Sequence, residues 1–434
     1  MNISEKNFNK IFNTFLCFIA IAMIFRKPCS ILIIVFSVFS LVFVQKLKFT
    51  KKALLLMAGI TSPILLEILL FWNNDSVSQG FKSLEKSISL VLFSIFIIGN
   101  YQRVNFLKLV QIYSIGTTIL MLFFFIRFNV VYPELINKYL NGIDLFEIGY
   151  QFSNSIGIHA PALNMHLAFV SVCALYFVFY SFRNNEKTIF RISRIIVFLL
   201  SFFFVLFVNT RMALLNVLTG FIIVFFYEIK THFNAKKMLI ATVSTLILLG
   251  GISFLFVKKN PYMKEKYASM TFAYMDKVGK LDEIDHPEIV VFNSFVTRVS
   301  IWKSAWELSL KNLPFGVGAS DGKPELFKYY KETNQNFLAK YEFPTHNQFL
   351  DFMLKFGILG PLVVLLYIFT IGYLGYDLKN AIIVSFFLIF FTSNLTDDFL
   401  LRFDGIAFSG LWASVFASYW LQQKTTLDKA PEVA

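Results

Sequence analysis

Apolar runs of roughly 15 to 21 residues recur along the whole chain, separated by short polar breaks. Runs of this length cross the hydrocarbon core of a bilayer as α-helices. The pattern therefore predicts an all-α integral membrane protein with about twelve transmembrane helices. The predicted spans are residues 11–25, 29–44, 53–71, 87–99, 106–126, 161–182, 193–209, 211–229, 237–257, 347–376, 380–396 and 404–422.

One polar segment, residues 258–345, is far longer than any other connection between apolar runs. Loops of this size are usually functional or disordered. A short amphipathic helix is predicted inside it by apolar residues at helical spacing, namely Val299, Trp302, Trp306 and Leu310. The predicted organisation is a single membrane domain made of residues 1–257 with helices 1 to 9, the loop 258–345, and residues 346–434 with helices 10 to 12 and a short tail.

Composition agrees with the pattern, since 56% of the residues are hydrophobic and only 15% are charged. Soluble domains carry about 25% charged residues. The net charge of +13 does not indicate nucleic-acid binding, because the basic residues form short clusters between apolar runs. Under the positive-inside rule these clusters predict that both termini are cytoplasmic and that the long loop is extracytoplasmic, although Arg26 and Lys27 weigh against it.

The three cysteines, Cys17, Cys29 and Cys173, lie in or beside apolar runs without CxxC spacing. They predict neither a disulfide framework nor a zinc site. The chain also has no glycine pattern of the Rossmann or P-loop kind. We therefore expect no cofactor.

Several costly polar residues collect at the predicted outer face. Arg211 lies where one apolar run ends and the next begins, and a charge near mid-bilayer costs about 2.5–3.5 kcal/mol. It is either a functional residue or a snorkelling anchor. Arg298 lies in the long loop, where taken alone it reads as a solvated charge, and Arg402 caps the last outer turn.

The stretch "PTHNQFLDFMLKFGILG" begins with a histidine, His346, at the predicted start of a helix. Asp351 and Lys355 form an i,i+4 pair, which predicts an interfacial turn before the helix enters the membrane. On a helix His346 shares a face with Gly357 and Gly360, which would let another helix approach closely. A helix N-terminus disfavours a cationic imidazole, so His346 is a candidate general base or else a helix cap or anchor.

Two other groups of polar residues are open to different interpretations. Asp397, Asp398 and Asp404 cluster near the last predicted helix, and carboxylate oxygens suit Mg²⁺. Outer-loop acids are more often hydrated or paired with an arginine, so no metal is predicted. His159 and His166 begin the sixth span and are interpreted as structural.

The motifs "NTRMALL", "TRVSIW" followed by "PFGVGAS", and "THNQFLDFMLKFGILG" resemble the O-antigen ligase and O-antigen polymerase superfamily of bacterial inner membranes. The resemblance covers roughly residues 150–405. It implies a GT-C-like bundle that transfers a glycan from undecaprenyl diphosphate to a sugar hydroxyl of an acceptor such as lipid A-core, on the periplasmic side. Membrane lipids are its surroundings, and nucleic acid is not a partner.

The resemblance also implies roles for particular residues. Arg211 and Arg298 match arginines near the donor diphosphate, and His346 matches the functional histidine of the family. Arg402 resembles a further outer arginine that contacts the donor. Residues that would support the site are Asn347, Asp397 and Trp302. Arginine suits this chemistry because its permanent charge and planar fork match phosphate oxygens.

The sequence leaves the reaction open between close alternatives. A ligase is favoured by the region around Arg402, whereas a polymerase would extend a lipid-linked repeat unit from the same donor. Transfer to protein hydroxyls is a third possibility. A transporter of lipid-linked oligosaccharide is disfavoured, since transporters put their polar sites near the midplane and often show repeats.

Overall fold

The computed structural model describes residues 3–141, 148–232, 272–292 and 294–427, with single positions between 244 and 258. Over these residues the chain is helical and has no strand, which confirms the all-α prediction. Most of the predicted span 237–257 lies outside the described residues.

The first half of the chain forms ten helices within the described ranges. Their bounds are α1 (Glu5–Ala22), α2 (Arg26–Val42), α3 (Lys51–Leu69), α4 (Val77–Phe93), α5 (Phe106–Val131), α6 (Pro133–Leu140), α7 (Ile148–Ile156), α8 (Ala160–Arg183), α9 (Thr188–Val208) and α10 (Arg211–His232). The later helices are α11 (Pro287–Val290), α12 (Phe295–Lys311), α13 (Gly322–Glu332), α14 (Asn336–Tyr341), α15 (Gln348–Phe356), α16 (Leu359–Leu378), α17 (Ala381–Thr396) and α18 (Phe403–Leu427).

Within the described residues, six helices are long and apolar enough to cross a membrane, namely α3, α5, α8, α9, α10 and α16. The protein is therefore a multi-pass membrane protein. The predicted number of twelve spans is not confirmed, because several of the other helices are short. For example, α17 is apolar but has only 16 residues.

Helix α8 lies at the centre of the bundle. It packs against α5, α9, α10 and α17, and 89% of its most apolar 18-residue stretch is buried within the protein. Large rings such as Phe169 and Trp412 fill the core beside it, with centroids 5.1 Å apart. Helix α16 packs on α3 and α17, and α18 packs on α4. Because α8 is central, its first residues, such as Pro161 and Met165, line a cavity at their end of the bundle.

The bundle has two distinct ends. At one end Glu5 forms an ion pair with Arg103 at 2.7 Å, and Gln422 donates to the carbonyl of Tyr101 at 2.5 Å, so the first and last helices meet there. At the other end, here called the loop end, residues 272–292 and 294–346 cover the bundle. The two described chain ends therefore lie opposite the long loop.

Residues 272–346 fold around their own apolar core, which includes Ile301, Tyr330 and Phe337. The loop is tied to the α3–α4 turn, since Asn73 donates to the carbonyl of Gly316 at 3.0 Å and Asp321 accepts from the backbone of residue 75 at 3.0 Å. These contacts hold the loop in one position over the bundle.

The predicted amphipathic helix of the loop exists as α12, but its predicted apolar face was wrong. Trp306 and Leu310 are each 48% exposed, whereas the buried face carries Ile301 and Leu308 together with small side chains such as Ser304. The small side chains allow α12 to pack closely against α15, and Ile301 and Leu308 join the apolar core of the loop.

The predicted single span 347–376 is broken into α15 and α16 at Gly357. Gly357 has φ 59° and ψ −140°, a region that is essentially restricted to glycine. A Cβ atom there would lie 1.8 Å from the carbonyl oxygen of Pro314, and one on Gly360 would lie 2.0 Å from that of Phe352. Gly357 therefore admits the long loop, and Gly360 admits α15, which is the close approach of another helix that the sequence predicted for this pair of glycines.

We predict that Gly357→Ala lowers the thermal unfolding midpoint of the detergent-purified protein well below that of Gly157→Ala. Gly157 also has a positive φ, of 87°, but a Cβ atom there meets nothing within 4 Å. The control therefore measures backbone strain alone, about 1–3 kcal/mol. The unfolding midpoints are measured by fluorescence during heating. Equal decreases of the midpoint in the two variants would contradict the steric argument.

Candidate functional site

Arg211 is the first residue of α10 and follows a very tight turn. Asn209 ends α9 in the left-handed conformation, with φ 54°. The buried side chain of Asn164 donates to the Thr210 hydroxyl at 3.0 Å and to the carbonyl of Val205 at 3.3 Å. A buried amide on α8 thus fixes the turn that carries Arg211.

Arg298 lies on the first turns of α12 and donates from a guanidinium nitrogen to the backbone carbonyl of Thr396 at the end of α17. Arg211 and Arg298 both line a cavity of about 430 Å³ at the loop end, here called the arginine cavity. Asp397 also lines it, and the rest of its wall is largely apolar, with Tyr150, Pro161, Met165, Met212, Phe272, Phe295 and Phe399. The cavity suits a ligand with an anionic group and a hydrophobic part.

His346 lies just before the N-cap of α15 and has a positive φ of 46°. The helix begins at Gln348, one residue after the predicted start at residue 347. Asn347 is the cap, because its side-chain oxygen accepts from the backbone of residues 349 and 350, and its amide donates to the carbonyl of Leu395 at 3.1 Å. The cap turns the histidine away from the helix axis toward the α17–α18 turn.

The imidazole of His346 contacts a carboxylate. Its Nδ1 lies 3.4 Å from Oδ1 of Asp397, and 22% of the side chain stays exposed. A carboxylate at Nδ1 favours the tautomer with the proton on that nitrogen, which leaves Nε2 to accept a proton. The contact with Asp397 can therefore orient the imidazole of His346.

Arg402 closes the same turn. Its guanidinium lies 3.5 Å from Asp398 and 3.9 Å from Asp397. The backbone of Leu400 donates to the buried side-chain oxygen of Gln348 at 2.6 Å, which joins the turn to α15. One buried turn thus carries two carboxylates, a guanidinium and the contact to the histidine.

The two adjacent carboxyls have opposite pKa shifts. Burial and the charge of Asp397 raise the pKa of Asp398 to about 8. Burial alone would also raise the pKa of Asp397, but hydrogen bonds from His346 and Asp398 and the charge of Arg402 outweigh it and hold the pKa below its usual range. Near neutral pH the pair therefore shares a proton, with Asp397 as the anion.

His159 is the residue that sequence reasoning missed. It was interpreted as structural, yet its Nδ1 lies 2.9 Å from a guanidinium nitrogen of Arg402. Burial and the charge of Arg402 lower the pKa of His159 to about 4, so the neutral ring accepts this hydrogen bond. His166 is buried, stacks on Phe408 and contacts the carbonyl of Asp404, which agrees with a structural role.

The described residues include one arrangement with metal-ligand geometry. Ligand atoms of His346, Asp397 and Asp398 lie within 4.8 Å of one another. Asp404, which the sequence had grouped with the other two acids, is not part of this set. The guanidinium of Arg402 already lies against both carboxylates, and a second cation there would have to overcome its repulsion.

The structure separates the other predicted residues by position. Arg211, Arg298 and Asp397 line the arginine cavity, and His346 contacts Asp397. Arg402 lies on the far side of Asp397 and lines a second cavity. Trp302 packs in the core of the long loop, with its ring 6.1 Å from that of Phe295, and does not line the arginine cavity.

The fold and this geometry define a multi-pass membrane protein with a cationic site at one end of its bundle. Residues 196–365 match the sequence model of the family described as O-antigen ligase. The match confirms the resemblance to the O-antigen ligase and polymerase superfamily over the region that carries Arg211, Arg298 and His346. It indicates ligase-type or polymerase-type activity on lipid-linked glycans in a membrane. No curated protein matches the chain.

We predict that Asp398→Asn flattens the pH dependence of stability. Because the folded-state pKa of Asp398 is raised, its contribution is fully present below the ordinary carboxyl pKa and is lost as the pH rises through about 8. The unfolding midpoint of the wild type should fall as the pH rises from about 4 through about 8, and that of the variant should fall less. Asp285→Asn, at an exposed loop carboxyl, is the control. Parallel curves for Asp398→Asn and the wild type would refute the shared proton.

Proposed function

We propose that the protein is an O-antigen ligase-like glycosyltransferase. It would move a glycan from undecaprenyl diphosphate to a sugar hydroxyl of lipid A-core at the periplasmic face of the bacterial inner membrane. The observation that carries this proposal is the shared residue Asp397, which lines the arginine cavity and also contacts His346. A cation pair and a proton acceptor then meet at one carboxylate.

The arginine cavity is assigned to the donor. Its two guanidiniums suit a diphosphate, and its apolar wall suits the first part of a polyprenyl chain. Departure of the diphosphate develops negative charge on its oxygens, and fixed cations in a site shielded from water lower that barrier. The arginines would supply this stabilisation without a metal.

His346 is assigned as the general base. The acceptor oxygen forms a bond to the anomeric carbon of the donor, and the bond from that carbon to the phosphate oxygen breaks. Undecaprenyl diphosphate leaves with the electron pair, and the acceptor proton passes to Nε2 of His346. Asp397 orients the imidazole through Nδ1, and Asn347 fixes the backbone beside it.

The topology belongs to the same proposal. We infer a GT-C-like bundle of twelve spans, divided into residues 1–257, a periplasmic loop 258–345 and residues 346–434, with both termini cytoplasmic. The described chain ends lie opposite the loop, which supports this orientation. The site at the loop end would then face the periplasm.

We predict that His346→Ala lowers the transfer rate by about 10²- to 10⁴-fold, the usual contribution of a general base. Donor binding should persist, because the arginine cavity is unchanged. His286→Ala is the matched control, since that imidazole is exposed in the same loop. The assay is transfer from purified donor, and a variant as active as the control would remove His346 from the mechanism.

The products should distinguish a ligase from a polymerase. Purified protein is incubated with undecaprenyl-diphosphate-linked glycan, with and without lipid A-core, and products are resolved by size and lipid. We expect glycan on lipid A-core, formed equally with and without EDTA. Lengthening on undecaprenyl without that acceptor would identify a polymerase instead, and loss of transfer in EDTA would contradict the metal-independent mechanism.

A further inference from the structure

A second cavity, of about 470 Å³, lies at the loop end and has no role in the mechanism above. Its walls come from α3, α4, α13, α15 and the turn between α17 and α18. The two cavities share that turn as a wall. Asp397 and Phe399 line the arginine cavity, whereas Asp398, Leu400 and Arg402 line the second one. A ligand here would lie directly behind the residues that hold His346.

The second cavity is rich in cations. Each wall except that of α3 contributes at least one cationic side chain. These are Lys82 and Lys86 on α4, Lys323 on α13, Lys355 on α15 and Arg402 on the shared turn. Its carboxyls are fewer, namely Glu67 and Asp398. In the part of the chain that the structure describes, ion pairs are formed by Lys355 and Arg402 but not by the other three cations.

The lysines also repel one another. The charges of Lys355 and Lys323 both act unfavourably on Lys86, whereas the carboxylate of Glu67 acts favourably on it. The ion pair between Lys355 and the buried carboxylate of Asp351, at 2.8 Å, compensates the charge of only one of these lysines. Several cations around a cavity favour an anionic ligand, which would remove the repulsion.

The remaining polar groups suit a polyhydroxylated ligand. Glu67 is 5% exposed, lines the cavity and has one carboxylate oxygen without a hydrogen-bond partner. Gln79, Ser87 and Ser320 add an amide and two hydroxyls to the walls. Carboxylate, amide and hydroxyl groups together both donate to and accept from sugar hydroxyls.

We propose that the second cavity binds the acceptor as a saccharide that carries an anionic group, a phosphate or a carboxylate, next to the hydroxyl to be glycosylated. The proposal rests on the transferase function proposed above. The anionic group would lie among Lys82, Lys86 and Lys323. The reacting hydroxyl would then extend past Arg402 toward His346.

An anionic lipid headgroup offers the same chemistry, because Lys82 and Lys86 are exposed on α4. The experiment therefore uses the full protein in nanodiscs of pure phosphatidylcholine. Methyl glucoside 6-phosphate, methyl glucuronoside and neutral methyl glucoside are titrated separately, and binding is followed by saturation-transfer NMR. We expect at least one anionic sugar to bind about tenfold more tightly than the neutral one.

The double variant Lys82→Gln/Lys323→Gln should weaken binding of that anionic sugar about tenfold. The control Lys331→Gln removes an exposed charge from α13 outside the cavity and should have no effect. Equal binding of neutral and anionic sugars, or an unaffected double variant, would overturn the proposal. The absence of sugar binding would also overturn it. If native mass spectrometry of the purified protein then finds phosphatidylglycerol on the wild type but not on the double variant, the cavity binds a lipid headgroup instead.

This test contains neither donor nor transfer, so it separates the two proposals. Anionic sugar bound by a protein that transfers no glycan would overturn the transferase assignment and leave a saccharide site. Transfer to lipid A-core by a protein that binds no anionic sugar would overturn the second-cavity proposal alone.

Discussion

Two adjacent carboxyls, Asp397 and Asp398, are buried beside the guanidinium of Arg402, and the site depends on how their charge is balanced. Two anions so close together cannot both be stable, so one retains a proton while the other stays charged. The charged one is the carboxylate that orients His346. Because the same turn forms a wall of both cavities, its charges face both of them.

Much of the fold follows from the sequence, since long apolar runs define helices such as α3, α5 and α8 to within a few residues. The break at Gly357 could not be predicted in this way, because the apolar pattern continues through it and the cause is a carbonyl of Pro314 from the long loop. The buried face of α12 was mistaken for the same kind of reason. Ile301 and Leu308 are buried there by contacts with other parts of the loop, while Trp306 remains half exposed.

Local motifs single out Arg211, Arg298 and His346 in the sequence. Their convergence required the fold, because the turn after α17 brings Asp397 to the histidine across 51 positions of sequence. The role of His159 had no local signal at all. Its partner lies 243 positions away, and a single histidine at the start of an apolar run is equally compatible with simple packing.

The hydrogen bonds between the α3–α4 turn and the long loop have a consequence for exchanging segments between related proteins. Asn73 and Asn74 bind backbone groups of residues 316 and 320, although the first 150 residues carry no recognisable motif. A chimaera that takes its motif-bearing half from one parent and its first helices from another would separate these partners. The α3–α4 turn and the loop segment that it binds would therefore have to be exchanged together in such a chimaera.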